Sequence, residues 1–236
     1  MTDQGRPVCA IIGAGPGIGE AFARRFAADG FAVALLARNV GRIEALAKEI
    51  PGARAFACDA GEAASIEQAF TAIEAQMGPV ATLLYNAGKG VWGDFQNVSP
   101  SDFEEAWKAN TLGLLLAAQR AAPAMIASGC GAIIVTGATA SLRGAAQTAA
   151  FAPAKAAQRD LAQSLAKSLW PKGVHVALII IDGVVDSPAN RAGFAGKGPE
   201  FFVEPAAVAD TAASLVGQRR SAWSFEVEAR PFGERW

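Results

Sequence analysis

Seven residues near the amino terminus, Gly13-Ala14-Gly15-Pro16-Gly17-Ile18-Gly19, are the densest concentration of chemical potential in the chain. A short apolar, β-branched run over 8–12 leads into them, and an alanine-rich amphipathic stretch follows, closing at Gly30. By itself a glycine cluster is compatible with a plain turn. Between a strand and a helix it leaves bare backbone N–H groups and a helix N-terminus where a pyrophosphate can sit. Side chains at the glycines would block the tight turn and the approach of the phosphates. Other reactive residue types are scarce. The single histidine, His175, lies in the apolar run 174–181 and reads as packed, which excludes a histidine triad or a histidine-rich metal site. Cys9, Cys58 and Cys130 are too scattered for a disulfide framework or a metal site and read as buried reduced thiols of a cytoplasmic protein.

Positioning such a turn requires a regular scaffold, and the hydrophobic pattern supplies one. Strand-like runs cover 8–12, 32–36, 53–57, 81–85, 133–136 and 174–181, with a weaker candidate at 224–228. Helical patterns cover 18–29, 40–50, 62–76, 101–127, 150–169 and 206–216. This alternation predicts an α/β fold, a doubly wound parallel sheet of Rossmann-like type, as a single domain over 1–236. The segment 186–202, rich in small residues, Gly and Pro, breaks the rhythm and reads as a mobile substrate loop beyond a strand end. A net charge of −1 gives no reason to expect nucleic acid or an anionic membrane as partner. No uncharged apolar run approaches the ~20 residues of a membrane span, and no signal-peptide pattern opens the chain.

Set in this order, the motifs resemble those of the short-chain dehydrogenase/reductase family, nearly end to end. The family's TGxxxGxG stands as Ile12 to Gly19, with Ile in the Thr place, and its NNAG as Tyr85-Asn86-Ala87-Gly88. Asp59 matches the adenine-contacting Asp, Asn110 the helix-four Asn, and Asp182-Gly183-Val184-Val185-Asp186-Ser187 a weak PGxxxT. The resemblance implies nucleotide contacts from Gly13, Gly15, Gly17, Ile18, Gly19, Asp59, Asn86, Ala87, Gly88, Lys155 and Gly183. It also implies Lys155 and Asn110 as the catalytic groups retained. Cofactor choice has a physical argument of its own. The second strand ends Leu35-Leu36-Ala37-Arg38-Asn39, with no carboxylate to repel a 2′-phosphate and with Arg38 able to clasp one, so NADP(H) is expected. Otherwise Arg38 is a solvated surface residue.

One departure stands out. The family places a Tyr four residues before the Lys and a Ser thirteen before that Tyr; here those places hold Phe151 and Ala138. Neither can donate a proton, and general acid–base catalysis is worth about 10²–10⁴-fold. Tyr85, the only tyrosine, reads as structural rather than as the donor. Thr136, Thr139, Ser141 and Thr148 are the nearby hydroxyls, either loop caps or, for Thr139 and Ser141, anchors for a substrate oxygen. Lys89 and Asp94 are ionisable groups of a solvated loop or of the substrate entrance. Three readings follow: an NADP(H)-dependent oxidoreductase delivering hydride to a small apolar acceptor, a catalytically silent NADP(H) sensor or scaffold, and a non-redox lyase or isomerase. The resemblance further implies a homodimer or homotetramer. The apolar stretch 111–127 and the aromatic tail with Trp223, Phe225, Phe232 and Trp236 are its candidate contacts; the alternative for the stretch is packing on the sheet, so only its excess apolarity bears on assembly.

Overall fold

A computed structural model describes residues 5–233, so Trp236 lies outside the described residues. Its centre is a parallel sheet of seven strands in the order β3-β2-β1-β4-β5-β6-β9. The strands are β1 (Val8–Ile12), β2 (Ala32–Ala37), β3 (Ala53–Ala57), β4 (Val80–Tyr85), β5 (Gly131–Ala138), β6 (Val174–Ile181) and β9 (Glu226–Ala229). The chain starts in the middle, winds outward to β3, then returns past β1 to build the other half. The strand order therefore reverses between β1 and β4, the place where open α/β sheets bind ligands.

Successive strand residues point to opposite faces, so near-continuous apolar runs fill two cores at once. On one face Ile12, Leu36, Leu83, Val135 and Ile180 meet α3 (Ala63–Met77), α5 (Gly113–Ser128) and α6 (Phe151–Leu169). On the other, Ile11, Leu35, Leu84, Ile134 and Ile179 meet α1 (Ile18–Ala28), α2 (Val40–Glu49) and α8 (Pro205–Val216). α1 ends just before Gly30, which takes the positive φ expected of a residue terminating a helix.

Two expectations need correction. The helix expected over 101–127 is interrupted: α4 (Pro100–Trp107) passes through one π turn, Lys108–Leu112, before α5 begins. The Asn110 amide donates to the carbonyls of Ala106 (2.8 Å) and Lys89 (3.1 Å), and the Thr111 hydroxyl to that of Ala154 (2.8 Å). These bonds hold the wider turn, a common device at functional sites. Segment 186–202 is not a featureless loop. The two-residue strands β7 (Val184–Val185) and β8 (Phe202–Val203) pair in parallel and bracket it, and α7 (Pro188–Gly193) starts inside it on a Ser187 cap.

Among the described residues of the aromatic tail, Trp223 and Phe225 are half-buried. Trp223 stacks on His175 with ring centroids 4.7 Å apart, and Phe225 packs against the core, while Phe232 remains exposed. Both His175 ring nitrogens meet backbone carbonyls, of Leu215 and Ser224, and burial lowers its pKa. It is a structural residue. Of the cysteines expected to be buried, Cys9 and Cys58 are, whereas Cys130, just before β5, is exposed. No helix among the described residues is long and apolar enough to cross a membrane.

Candidate active site

At the switch point the glycine turn is stitched to its neighbours. The Gly13 and Ala14 N–H groups donate to Leu36 O at 2.9 and 3.1 Å, and the Asn86 side-chain amide donates to Gly13 O at 2.9 Å. Gly13 has φ +90°, and a Cβ there would lie 2.6 Å from the backbone nitrogen of Ala87. Only glycine admits both the dihedral and the approach. At Gly17, φ +89°, the chain enters α1 with no side chain capping the helix, which leaves its first N–H groups for a ligand. Gly15, by contrast, has open space where a Cβ would be.

A cavity of about 650 Å³ opens beside this turn. Of the residues expected to contact nucleotide, Gly13, Gly15, Arg38, Asp59, Asn86, Ala87 and Gly88 line it. Gly17, Ile18, Gly19, Lys155 and Gly183 do not, nor does Asn110. Gly183 follows β6 and lies against Pro231. Arg42, which sequence reasoning missed, lines the cavity beside Arg38, one turn into α2. Its backbone N–H is capped by the Asn39 side chain at 3.2 Å. Among the described residues neither guanidinium has an ion-pair partner, whereas the neighbouring Lys89 and Lys108 are paired with Glu105 and Glu104. The end of β2 thus presents two uncommitted cations and no carboxylate, a place suited to a bound phosphate.

Gly88 joins this cavity to a buried polar cluster: a Cβ on it would lie 2.8 Å from Asn110 Oδ1 and 3.6 Å from Lys155 Nζ. Lys155 is buried on α6 and donates to Thr136 O at 2.9 Å and to Gln158 Oε1 at 3.0 Å. Gln158 Nε2 in turn donates to the Asn110 carbonyl at 2.7 Å. Burial lowers the Lys155 pKa to about 8. Asn110 Oδ1 is buried without a hydrogen-bond partner among the described residues. Lys155 and Asn110, both named from the family resemblance, thus stand in one cluster, but Gln158 escaped notice although it stands three residues on from Lys155, on the same helical face.

Phe151 opens α6 with its ring centroid 6.0 Å from Lys155 Nζ and 5.6 Å from the ring of Trp92. Ala138 ends β5 in extended conformation, opposite Ile181. The hydroxyls nearby are committed within the protein. Tyr85 donates to Ala109 O at 2.6 Å, and burial pushes its phenol up, out of reach of an acid role. Ser141 Oγ accepts the Ala138 N–H at 3.2 Å, and the Thr148 hydroxyl donates to Ala145 O at 3.0 Å. Thr139 hydrogen-bonds Asp182, a buried carboxylate that Arg230 also meets at 2.6 Å and Arg143 at 3.4 Å. Asp94 accepts from the N–H groups of Gln96 and Asn97, a loop-capping role.

A sequence model described as short chain dehydrogenase matches residues 7–197. The 3-oxoacyl-(acyl-carrier-protein) reductase MabA of Mycobacterium bovis is 32% identical over 182 residues, 77% of this chain and 70% of that one. A short-chain dehydrogenase from Rhodopseudomonas palustris superposes with a TM-score of 0.82 at 35% identity, covering 95% of this chain and 98% of that one. A metagenomic short-chain oxidoreductase in complex with NADP superposes with a TM-score of 0.83 at 29% identity, covering 98% and 99%.

Proposed function

The chain belongs to the short-chain dehydrogenase family, and on that premise we propose that it is an NADP(H)-dependent oxidoreductase with an atypical active site. The carrying observation is the cavity beside Gly13 and Gly15, into which the end of β2 and the start of α2 bring Arg38 and Arg42 with no carboxylate of their own, while Asp59, Glu62 and Glu105 line it from other segments. A dinucleotide with a 2′-phosphate fits these residues: the cradle is one that a Cβ on Gly13 would fill, and the two guanidinium groups have no other ionic partner. In this reading Gly13, Gly15, Gly17, Ile18 and Gly19 receive the pyrophosphate. Asp59, Asn86, Ala87 and Gly88 border the adenosine and ribose, and Lys155 and Gly183 the nicotinamide half. When bound, the nicotinamide would supply or accept hydride.

The chain's own residues set the rest of the chemistry. Lys155 presents a buried donor, and Asn110 holds the π turn that shapes the floor of the site. Phe151 and Ala138, in the Tyr and Ser places, leave the substrate oxygen without an acid or anchor. They suit a small apolar acceptor whose reduction needs no strong proton donor, such as an iminium or quinonoid centre. Segment 186–202 is the substrate loop of the single domain. A homodimer or homotetramer in the cytoplasm completes the reading, supported by the exposed Phe103, Trp107 and Ile126 along α4 and α5. Light scattering tests the assembly.

A second reading, a silent NADP(H)-binding sensor or scaffold, draws on the hydroxyls already committed within the protein, at Tyr85, Ser141, Thr148 and Thr139. Calorimetric titration with NADPH and NADH, followed by NADPH oxidation with imines, enones and quinones, separates the two. Micromolar NADPH binding with turnover supports the enzyme. Binding without turnover on any acceptor favours the sensor. Binding of neither nucleotide overturns both.

A further inference from the structure

We propose that Gln158 is the positioning residue of Lys155: its side-chain amide bridges the buried Nζ to the main-chain carbonyl of Asn110 and so fixes one spare N–H at the Gly88 edge of the cavity. The bridge is complete on both sides. Lys155 Nζ donates to Gln158 Oε1 at 3.0 Å, and Gln158 Nε2 donates to Asn110 O at 2.7 Å. Thr136 O holds the same Nζ from β5 at 2.9 Å. Gln158 has no exposed surface, and a glutamine buried so fully is retained at a cost unless its amide is satisfied.

The donor count gives the bridge a consequence. An ammonium has three N–H groups, two of which meet Thr136 O and Gln158 Oε1, leaving one for a ligand. A neutral amine has two, both committed to the same anchors, and none to spare. Deprotonation of Lys155 therefore removes the ligand's donor while the anchors stay. The amide also offers the proton no onward path, because its own N–H groups donate and are not exchanged along the bridge.

The ionisable groups on the elements packed around Lys155 are Cys58, Asp59 and Tyr85 beside β4, Lys89 paired with Glu105, Lys108 paired with Glu104, and Arg159 paired with Glu226 on the outer side of α6. The downward displacement of the Lys155 pKa comes from burial alone. A carboxylate in place of the amide would thus be the first charge to face it.

The hold of Gln158 on Lys155 is testable without nucleotide; only the destination of the spare N–H rests on the NADP(H) reading. The measurement is an NMR titration of the Lys155 ε-carbon in lysine-labelled protein, assigned by its loss in Lys155→Met. Gln158→Glu should raise the Lys155 midpoint by about two pH units, as an opposite charge at this range does. Gln158→Met should lower it and weaken NADPH binding about tenfold or more. In the wild type the Gln158 amide protons should exchange far more slowly than those of exposed glutamines. Midpoints unchanged in a folded Gln158→Glu protein, or ordinary exchange of the wild-type amide, would overturn the proposal. Wild-type protein that shows the shifts but binds no NADPH would leave Gln158 as the positioning residue and sink the nucleotide reading instead.

Discussion

Trp92 leans over Phe151, with ring centroids 5.6 Å apart and planes tilted by 41°. The Lys155 amine lies 6.0 Å from the same Phe151 centroid, so one aromatic ring neighbours both an exposed indole and a buried charge. The indole itself is 70% exposed and contributes little to the core. Trp92→Ala should leave stability within about 0.5 kcal/mol of wild type. It should raise KM for an apolar acceptor about tenfold, with NADPH affinity unchanged, as steady-state kinetics on the most active acceptor would measure.

Phe151 invites the converse experiment. Phe151→Tyr adds a phenol beside Lys155, whose ammonium favours the phenolate. Combined with Ala138→Ser, it should raise reduction of simple ketones by about 10²–10⁴-fold over wild type, the usual contribution of a general acid. NADPH oxidation with a ketone panel reads the gain. No gain, with the double variant folded, would mean that the substrate oxygen does not reach this position.

The glycine turn separates folding from binding. Gly13→Ala forces a Cβ into the Ala87 backbone at positive φ and should destabilise by about 2 kcal/mol or more. Gly15→Ala meets open space, so urea denaturation should show little change. Its methyl would stand where the phosphates approach, and calorimetry should show NADPH affinity falling at least about tenfold. A Gly15→Ala protein that binds normally would remove the turn from the nucleotide site.

Arg38 and Arg42 should act together on the 2′-phosphate. Each charge-assisted bond is worth about 1.5–3 kcal/mol, so each Arg→Ala change should weaken NADPH binding about 10- to 100-fold while altering NADH little. The same two Kd values at rising ionic strength should converge, because the arginines are exposed and salt screens them.

Most of the fold was written in local patterns. The inner sheet strands are near-continuous apolar runs, broken at the edges by Arg54 in β3 and by Glu226 and Glu228 in β9, and the helices between them repeat at helical spacing, so their limits could be read to within a few residues. β7 and β8 could not, because two-residue strands have no periodicity, and α7 is too short to show a face. The π turn was hidden for another reason: it depends on where Asn110 finds acceptors, Lys89 O among them, far along the chain. The site divides the same way. Gly13 and Asn86, named from motif spacing, line the cavity at the switch point, and Lys155, named the same way, is buried behind Gly88. Gln158, Trp92 and the Asp182 cluster owe their roles to contacts between elements. Arg42 alone carried a usable signal, a second cation one helical turn after Arg38.

Lys155 also makes stability depend on pH in a definite direction. Its folded pKa of about 8 lies below the 10.5 usual for an exposed lysine. Between those values the unfolded chain binds a proton that the folded chain does not, so stability rises with pH across that window. A gap of this size corresponds to about 3 kcal/mol. Below pH 8 both states are protonated and the full cost of burying the charge is present. Lys155→Met leaves Thr136 O and Gln158 Oε1 without a donor, a loss that does not vary with pH. Its stability relative to wild type should therefore be greatest at pH 7 and fall by about 3 kcal/mol on going to pH 10.5. Urea denaturation of both proteins at intervals across this range measures the difference directly. A difference that stays flat would mean that Lys155 titrates in the folded protein as it does in water, and that neither its burial nor its bridge to Gln158 governs its charge.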